Sequence, residues 1–396
     1  MATETMKSNN CISKIILIPV ITVFLFLTLL TDTLGNVPDS IKLNCNKNYF
    51  SISGNYQRGN IMPTTDFVKG DNLAGQPIEK YENYSLKVLW QNPGYTDWQK
   101  VFRVPYYGFG LSVGNFYNPQ EIGYPVSVYG VLGIPIFRVN KFELYSEMQF
   151  GTAFNWEKYD SITNPKNLVI GGGMTVHLNL GLNAFYAITN NLDLGAGIGF
   201  IHFSNGGFER PNKGFNIYAP SAELKYHFGG KADALKVERA GKLERSDELL
   251  LMLGYGDHQL IEHELDTNYF AVGGISAIYF NRFSNAARIG LGTDINYWWG
   301  LNAQPDGSPG PYSFENITVG LILQPEVIIG RLSLVSGFGI YARHRNYGSF
   351  KQTYQRLGVR FDVYKNFSAG INVRAINFME AEFLEFNFGY KFKWVR

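Results

Sequence analysis

From Met174 the chain alternates with a period of two. Met174, Val176, Leu178, Leu180, Leu182, Ala184 and Tyr186 are apolar, and Thr175, His177, Asn179, Gly181 and Asn183 between them are polar or small. Successive side chains of a β-strand point to opposite faces, so the pattern builds a strand with one apolar face and one small or polar face. The next segment repeats it, with Leu192, Leu194, Ala196, Ile198 and Phe200 set against Asp193, Gly195, Gly197 and Gly199. Late in the chain Leu357, Val359, Phe361 and Val363 alternate with Arg356, Gly358, Arg360 and Asp362. A soluble sandwich also alternates, but large apolar residues fill its inner face.

Roughly sixteen such segments follow one another, as the strands of a closed barrel do. Aromatic residues make up 15 % of the chain, charged residues only 17 %, and there are 43 glycines. That composition suits strands with lipid on one side and a narrow lumen on the other. The expected fold is all-β, an outer-membrane antiparallel up-and-down β-barrel. The balance of 35 basic and 33 acidic residues argues against nucleic acid as a partner.

The N-terminus carries Lys7 and Lys14, then an uncharged apolar run from Ile15 to Leu30, then small residues around Gly35. This reads as a signal peptide over residues 1–35, with an uncleaved anchor as the competing reading because the run approaches the ~18 residues that span a bilayer. Cys11 precedes the run. Removing the segment leaves Cys45 alone, which excludes an intrachain disulfide or a cysteine metal cluster. Export to the outer membrane of a Gram-negative bacterium follows.

The chain reads as two related halves. Asn191–Phe203 lies over Asn366–Phe378 at a constant offset, and Leu182, Ala184, Tyr186 and Ile188 fall on Leu357, Val359, Phe361 and Val363. Each half ends alike, in Ala222–Phe228 and in Phe386–Trp394. A charged stretch over residues 231–247 suits a solvated linker. The expected organisation is a barrel over 36–230 and a second over 248–396, two tandem eight-stranded barrels. One sixteen-stranded barrel is the alternative.

Chemistry concentrates between Ile198 and Asn216. His202 and Ser204 sit two apart at a strand end and therefore share a face, as a general base and a nucleophile must. Both continue the even, apolar face of Leu192 to Phe200, so the pair points outward, towards lipid head groups. Asn216, on the following strand, emerges on the same face and can orient the histidine. Glu223 faces inward and is poorly placed for that role. Asn205, Gly206, Gly207 and Asn212 lie in the intervening loop, where backbone N–H groups and an Asn amide can meet an oxyanion. An amphiphile already in the membrane is the natural substrate, and serine-ester hydrolysis needs no cofactor or metal.

His202-Phe-Ser-Asn-Gly-Gly followed by Pro211-Asn212-x-Gly214 resembles the signature of the outer-membrane lipid A 3-O-deacylases, the PagL-like proteins grouped with the acyloxyacyl hydrolases. The resemblance is close over the last two strands of the first half and looser over the rest of 36–230. It implies an eight-stranded barrel that removes an ester-linked acyl chain from lipid A of lipopolysaccharide in the outer leaflet. By position it makes Ser204 the nucleophile, His202 the base, and Asn212 with the Gly207 N–H the oxyanion hole, supported by Asn205. The family's acid falls on Asn216, which carries no charge. Glu209 is the alternative acid, reaching back from the loop.

In the second half Asn377 and Met379 stand where His202 and Ser204 stand, so that half is expected to be non-catalytic, a degenerate repeat. Arg282-Phe283-Ser284-Asn285 echoes the motif without its histidine. His258 and His263, with Glu262 and Glu264, read as a charged loop rather than as metal ligands. Trp98, Trp298, Trp299 and Trp394 suit interfacial girdles. The rival functions are a non-enzymatic pore or scaffold and an outer-membrane phospholipase.

Overall fold

A computed structural model of the protein describes residues 49–232, 240–241, 245–259, 268–304, 308–343, 352–376 and 380–395. The expected signal peptide, Cys45, His263 and the Asn377–Met379 positions lie outside them. The first eight strands are β1 Phe50–Ile61, β2 Lys80–Trp90, β3 Tyr106–Asn115, β4 Gly123–Val139, β5 Phe142–Trp156, β6 Thr175–Ala187, β7 Leu192–Ser204 and β8 Phe215–Phe228. The next eight are β9 Ser246–Gln259, β10 Tyr269–Arg282, β11 Ala287–Trp298, β12 Ile317–Ile329, β13 Leu332–Arg343, β14 Thr353–Tyr364, β15 Phe367–Ile376 and β16 Glu380–Val395. A short helix, α1 (Asp97–Val101), lies between β2 and β3.

Each strand pairs antiparallel with its neighbours, and β1 pairs with β8 through Phe50↔Phe228 to Ile61↔Ile217, closing an eight-stranded barrel. β16 closes on β9 in the same way, through Phe386↔Tyr255 to Val395↔Ser246. Closure abolishes the unpaired edges that lipid cannot solvate. The chain is therefore two tandem eight-stranded barrels, in two compact units, and not one sixteen-stranded barrel. β9 begins at Ser246, so Ser246 and Asp247 of the charged stretch are already paired, with Arg282 and Asn281.

The alternation resolves as expected into an outer and an inner face. On β7, Leu194 and Ile198 are half exposed, and Asp193 is buried in the lumen. The lumen of the first barrel is filled. Fully buried Lys87 bridges Glu147 at 3.2 Å and Glu223 at 2.7 Å, and Lys225 lies 3.6 Å from the Phe185 ring centroid. His177 bonds Ser127 at 3.0 Å and stacks on Tyr129, and His227 meets Asp193 at 2.8 Å, so both are lumenal hydrogen-bonding groups. The β7 glycines make room for this contents: a Cβ on Gly195 would lie 2.6 Å from the Phe185 ring, and one on Gly199 2.5 Å from Asn179 Oδ1.

The inner face is not small or polar throughout. Towards the end of the barrel that carries His202, Tyr81, Phe116, Trp156, Ile201, Phe203, Phe215 and Ile217 pack as an apolar plug. Here loop residues close over the lumen and exclude water, so large side chains are favoured. Segments 62–79, 116–122, 157–174 and 205–214 leave from this end, whereas the other has the segment 91–105 with α1 and the tight turns 140–141 and 188–191.

The second barrel is filled by ion pairs. Arg360 meets Glu326, Arg356 meets Asp294 and Glu385 at 3.1 Å each, and Arg288 bridges Glu248 and Glu326. Charges buried this deeply persist only when paired and hydrogen-bonded. Trp298 departs from the girdle expectation: it is buried in this lumen, with Nε1 donating to Thr318 at 3.0 Å. Trp299 and Trp394 are exposed on the outside.

Candidate active site

His202 and Ser204 end β7. Because β7 pairs with β8 in the register His202↔Asn216, the histidine and the asparagine face each other directly on the outward-pointing side of the strands, where His202 is half-buried and Asn216 buried. His202 Nδ1 donates to Asn216 Oδ1 at 2.8 Å, and Ser204 Oγ donates to His202 Nε2 at 2.9 Å. A carbonyl oxygen at Nδ1 fixes the tautomer that leaves Nε2 able to accept the serine proton. Ser204, His202 and Asn216 thus form one continuous chain of hydrogen bonds.

Loop residues add to this. The Asn205 backbone N–H donates to Asn212 Oδ1 at 2.9 Å, which fixes the Asn212 side chain by its amide oxygen. Asn205 therefore supports Asn212 through its main chain. Gly206 and Gly207 adopt φ of +67° and +87°, conformations open to glycine. With both His202 ring nitrogens engaged by Ser204 and Asn216, the geometry leaves no hydrogen-bonding position on the imidazole for Glu209.

Two further supports come from Gly214 and from the segment on which the loop docks. Gly214, at φ +68°, is pressed against the pair: a Cβ there would meet Phe203 O at 2.7 Å, Ser204 Cβ at 3.2 Å and His202 Cε1 at 3.3 Å. The Lys213 and Gly214 amides donate to the carbonyls of Leu168 and Val169, at 3.2 and 3.1 Å, docking the end of the loop on segment 157–174. Asn167 holds that segment, accepting from Val169 and Ile170 and donating to Glu121 O and Glu157 O. The Pro-Asn-x-Gly spacing hinted at Gly214. Local bonds to Val169 and Ile170 do not mark Asn167 out, since the carbonyl of Glu121 that it also holds lies 46 residues away.

The other sequence candidates stand apart. Glu223 is buried with Lys87, and His258 lies at the end of β9 with Nδ1 3.2 Å from Glu382 O. Arg282 donates to the carbonyls of Ser284 and Asn285 in a turn before β11.

Residues 83–225 match the family model described as lipid A 3-O-deacylase (PagL), and residues 247–394 match that of the acyloxyacyl hydrolase C-terminal domain. The chain belongs to the PagL lipid A deacylase family. The second match extends the membership to the half that lacks a visible His/Ser motif. Comparison with curated proteins gives no match. Among solved structures, the chain is similar to an outer-membrane channel from Pseudomonas putida F1, at 11 % identity, covering 91 % of this chain and 100 % of that one with a TM-score of 0.19. A TodX monoaromatic hydrocarbon channel mutant shares 10 % identity over 91 % of each chain, TM-score 0.17. A mutant Rhodopseudomonas blastica porin shares 10 % over 87 % of this chain and 99 % of that one, TM-score 0.16. The PagL membership and the barrel fold place the protein in the outer membrane and make it an acyl ester hydrolase by family.

Proposed function

We propose that the protein is a serine ester hydrolase that removes the 3-O-linked acyl chain of lipid A from the outer leaflet. The observation that carries this is the outward-facing relay Ser204–His202–Asn216, at 2.9 and 2.8 Å. It lies at the end of the barrel with the longer loops, the extracellular end in barrels of this kind. Lipid A can then present its ester without leaving the membrane.

In this reading Ser204 Oγ attacks the acyl carbonyl as its proton passes to His202 Nε2. Asn216 holds the imidazole in the required tautomer without supplying charge. The oxyanion is met by the Asn212 amide and the Gly207 N–H, with Asn205 holding Asn212 in place. His202 returns the proton to the departing sugar hydroxyl. Water, activated by the same histidine, then attacks the acyl-serine ester, and the fatty acid leaves with Ser204 restored. We assign catalysis to the barrel over 36–230, with 231–247 as linker and 248–396 as a non-catalytic barrel. The filled lumens oppose the pore alternative, because Lys87 and Glu223 in the first barrel and Arg360 and Glu326 in the second occupy the space an aqueous channel needs.

Mass spectrometry of lipid A from cells expressing the protein tests the reading. Loss of one hydroxyacyl mass with wild type, and none with Ser204→Ala, supports it. Unchanged lipid A with both, the protein being present in the outer membrane, refutes it.

A further inference from the structure

The outer face beside the relay carries a charge asymmetry. Going round the barrel from β7, the register row Phe200, Tyr218, Asn60, Lys80 crosses β7, β8, β1 and β2 one step inside the His202–Asn216 pair. Even positions of β1 and β2 point outward here, and Arg58, Asn60 and Lys80 are exposed. Arg58 is offset by Glu82, whose carboxylate lies 3.7 Å from Arg58 Nε and also accepts the Tyr56 hydroxyl at 2.9 Å. Lys80 differs. Its ammonium donates at 2.8 Å to the neutral amide oxygen of Asn60, and no described carboxylate pairs with it, the adjacent exposed Glu79 included. On the other flank the strand ends of β4, β5 and β6 present Tyr124, Phe154 and Val176, without charge.

We propose that Lys80, with Asn60 and Tyr218, forms an anion subsite that holds a phosphate of the substrate's sugar headgroup while the ester lies at Ser204. Three strand spacings and two residues of strand separate the His202 column from Lys80, about 15 Å along the surface. A phosphorylated disaccharide spans such a distance, with its ring over Tyr218 and its phosphate at the ammonium. A cation exposed on the lipid face is tolerated at the interface, where a phosphate completes its coordination. The subsite fixes which end of an asymmetric headgroup lies over β1 and β2, and therefore which ester reaches the nucleophile. It rests on the deacylase reading for its substrate, but it can be measured separately.

Acyl release is followed for wild type, Lys80→Ala and Lys80→Arg, in detergent, with lipid A and with enzymatically dephosphorylated lipid A. Wild type should favour the phosphorylated form in kcat/KM by about tenfold, the order expected of one charge-assisted contact. The preference should fall to about one in Lys80→Ala through KM and return in Lys80→Arg. An unchanged preference in Lys80→Ala overturns the subsite. A second arm titrates both lipids onto the Ser204→Ala protein by calorimetry. If wild type releases no acyl chain yet Ser204→Ala binding still prefers phosphate through Lys80, the subsite stands and the deacylase reading falls. Inorganic phosphate serves as competitor. Full displacement of the lipid by millimolar phosphate assigns Lys80 to a soluble anion and overturns the headgroup assignment.

Discussion

Asn216 Oδ1 and His202 Nδ1 stand 2.8 Å apart as directly opposed register partners of β7 and β8. An uncharged residue therefore occupies the position from which, in the proposed mechanism, the base is oriented. Its carbonyl selects the tautomer as a carboxylate would, but it adds no field to stabilise the imidazolium that the proposed mechanism requires.

Asn216→Asp, nearly isosteric, should keep the geometry and supply that charge, raising kcat by about tenfold. Asn216→Ala removes the acceptor and should lower kcat at least about tenfold. Initial rates of fatty-acid release measure both. An Ala variant as fast as wild type would remove Asn216 from the relay.

Glu209→Gln should leave kcat within about twofold of wild type, because Asn216 and Ser204 already engage both His202 nitrogens. A loss beyond tenfold would instead make Glu209 the working acid.

Gly214→Ala places a methyl group 2.7 Å from the Phe203 carbonyl and against both His202 and Ser204, at a positive φ. The strain should cost about 1–3 kcal/mol of stability, and displacement of the pair should lower kcat by about a hundredfold. Gly54→Ala is the control, since nothing lies within 4 Å of its would-be Cβ. Urea unfolding and initial rates, taken together, separate the two effects.

Lys87→Met leaves Glu147 and Glu223 buried in the first lumen without their shared cation. Breaking such a pair should cost about 3–5 kcal/mol, read as a lower urea midpoint for folding in detergent. A midpoint equal to wild type would show that solvent reaches the network.

Purified protein in planar bilayers should show no steady ion conductance, since side chains occupy both barrel interiors. Stable open-channel currents would contradict the packing around Lys87 and around Glu326.

What the sequence by itself determined is local. A period of two records which side of the chain meets lipid, so the strands, their faces and the shared outward parity of His202, Ser204 and Asn216 could be read from residue order. The motif and its spacing carried the family. Tertiary structure decided what depends on distant segments. Pairing of β1 with β8 makes two closed barrels rather than one, and the register of β7 on β8 sets Asn216 opposite His202. Docking of Lys213 and Gly214 on segment 157–174 anchors the loop, and an aromatic plug fills the lumen behind the site where residue order suggested a small or polar face. Closure, register and lumen filling are settled by contacts between residues far apart in the chain, and alternation along any one strand carries no record of them.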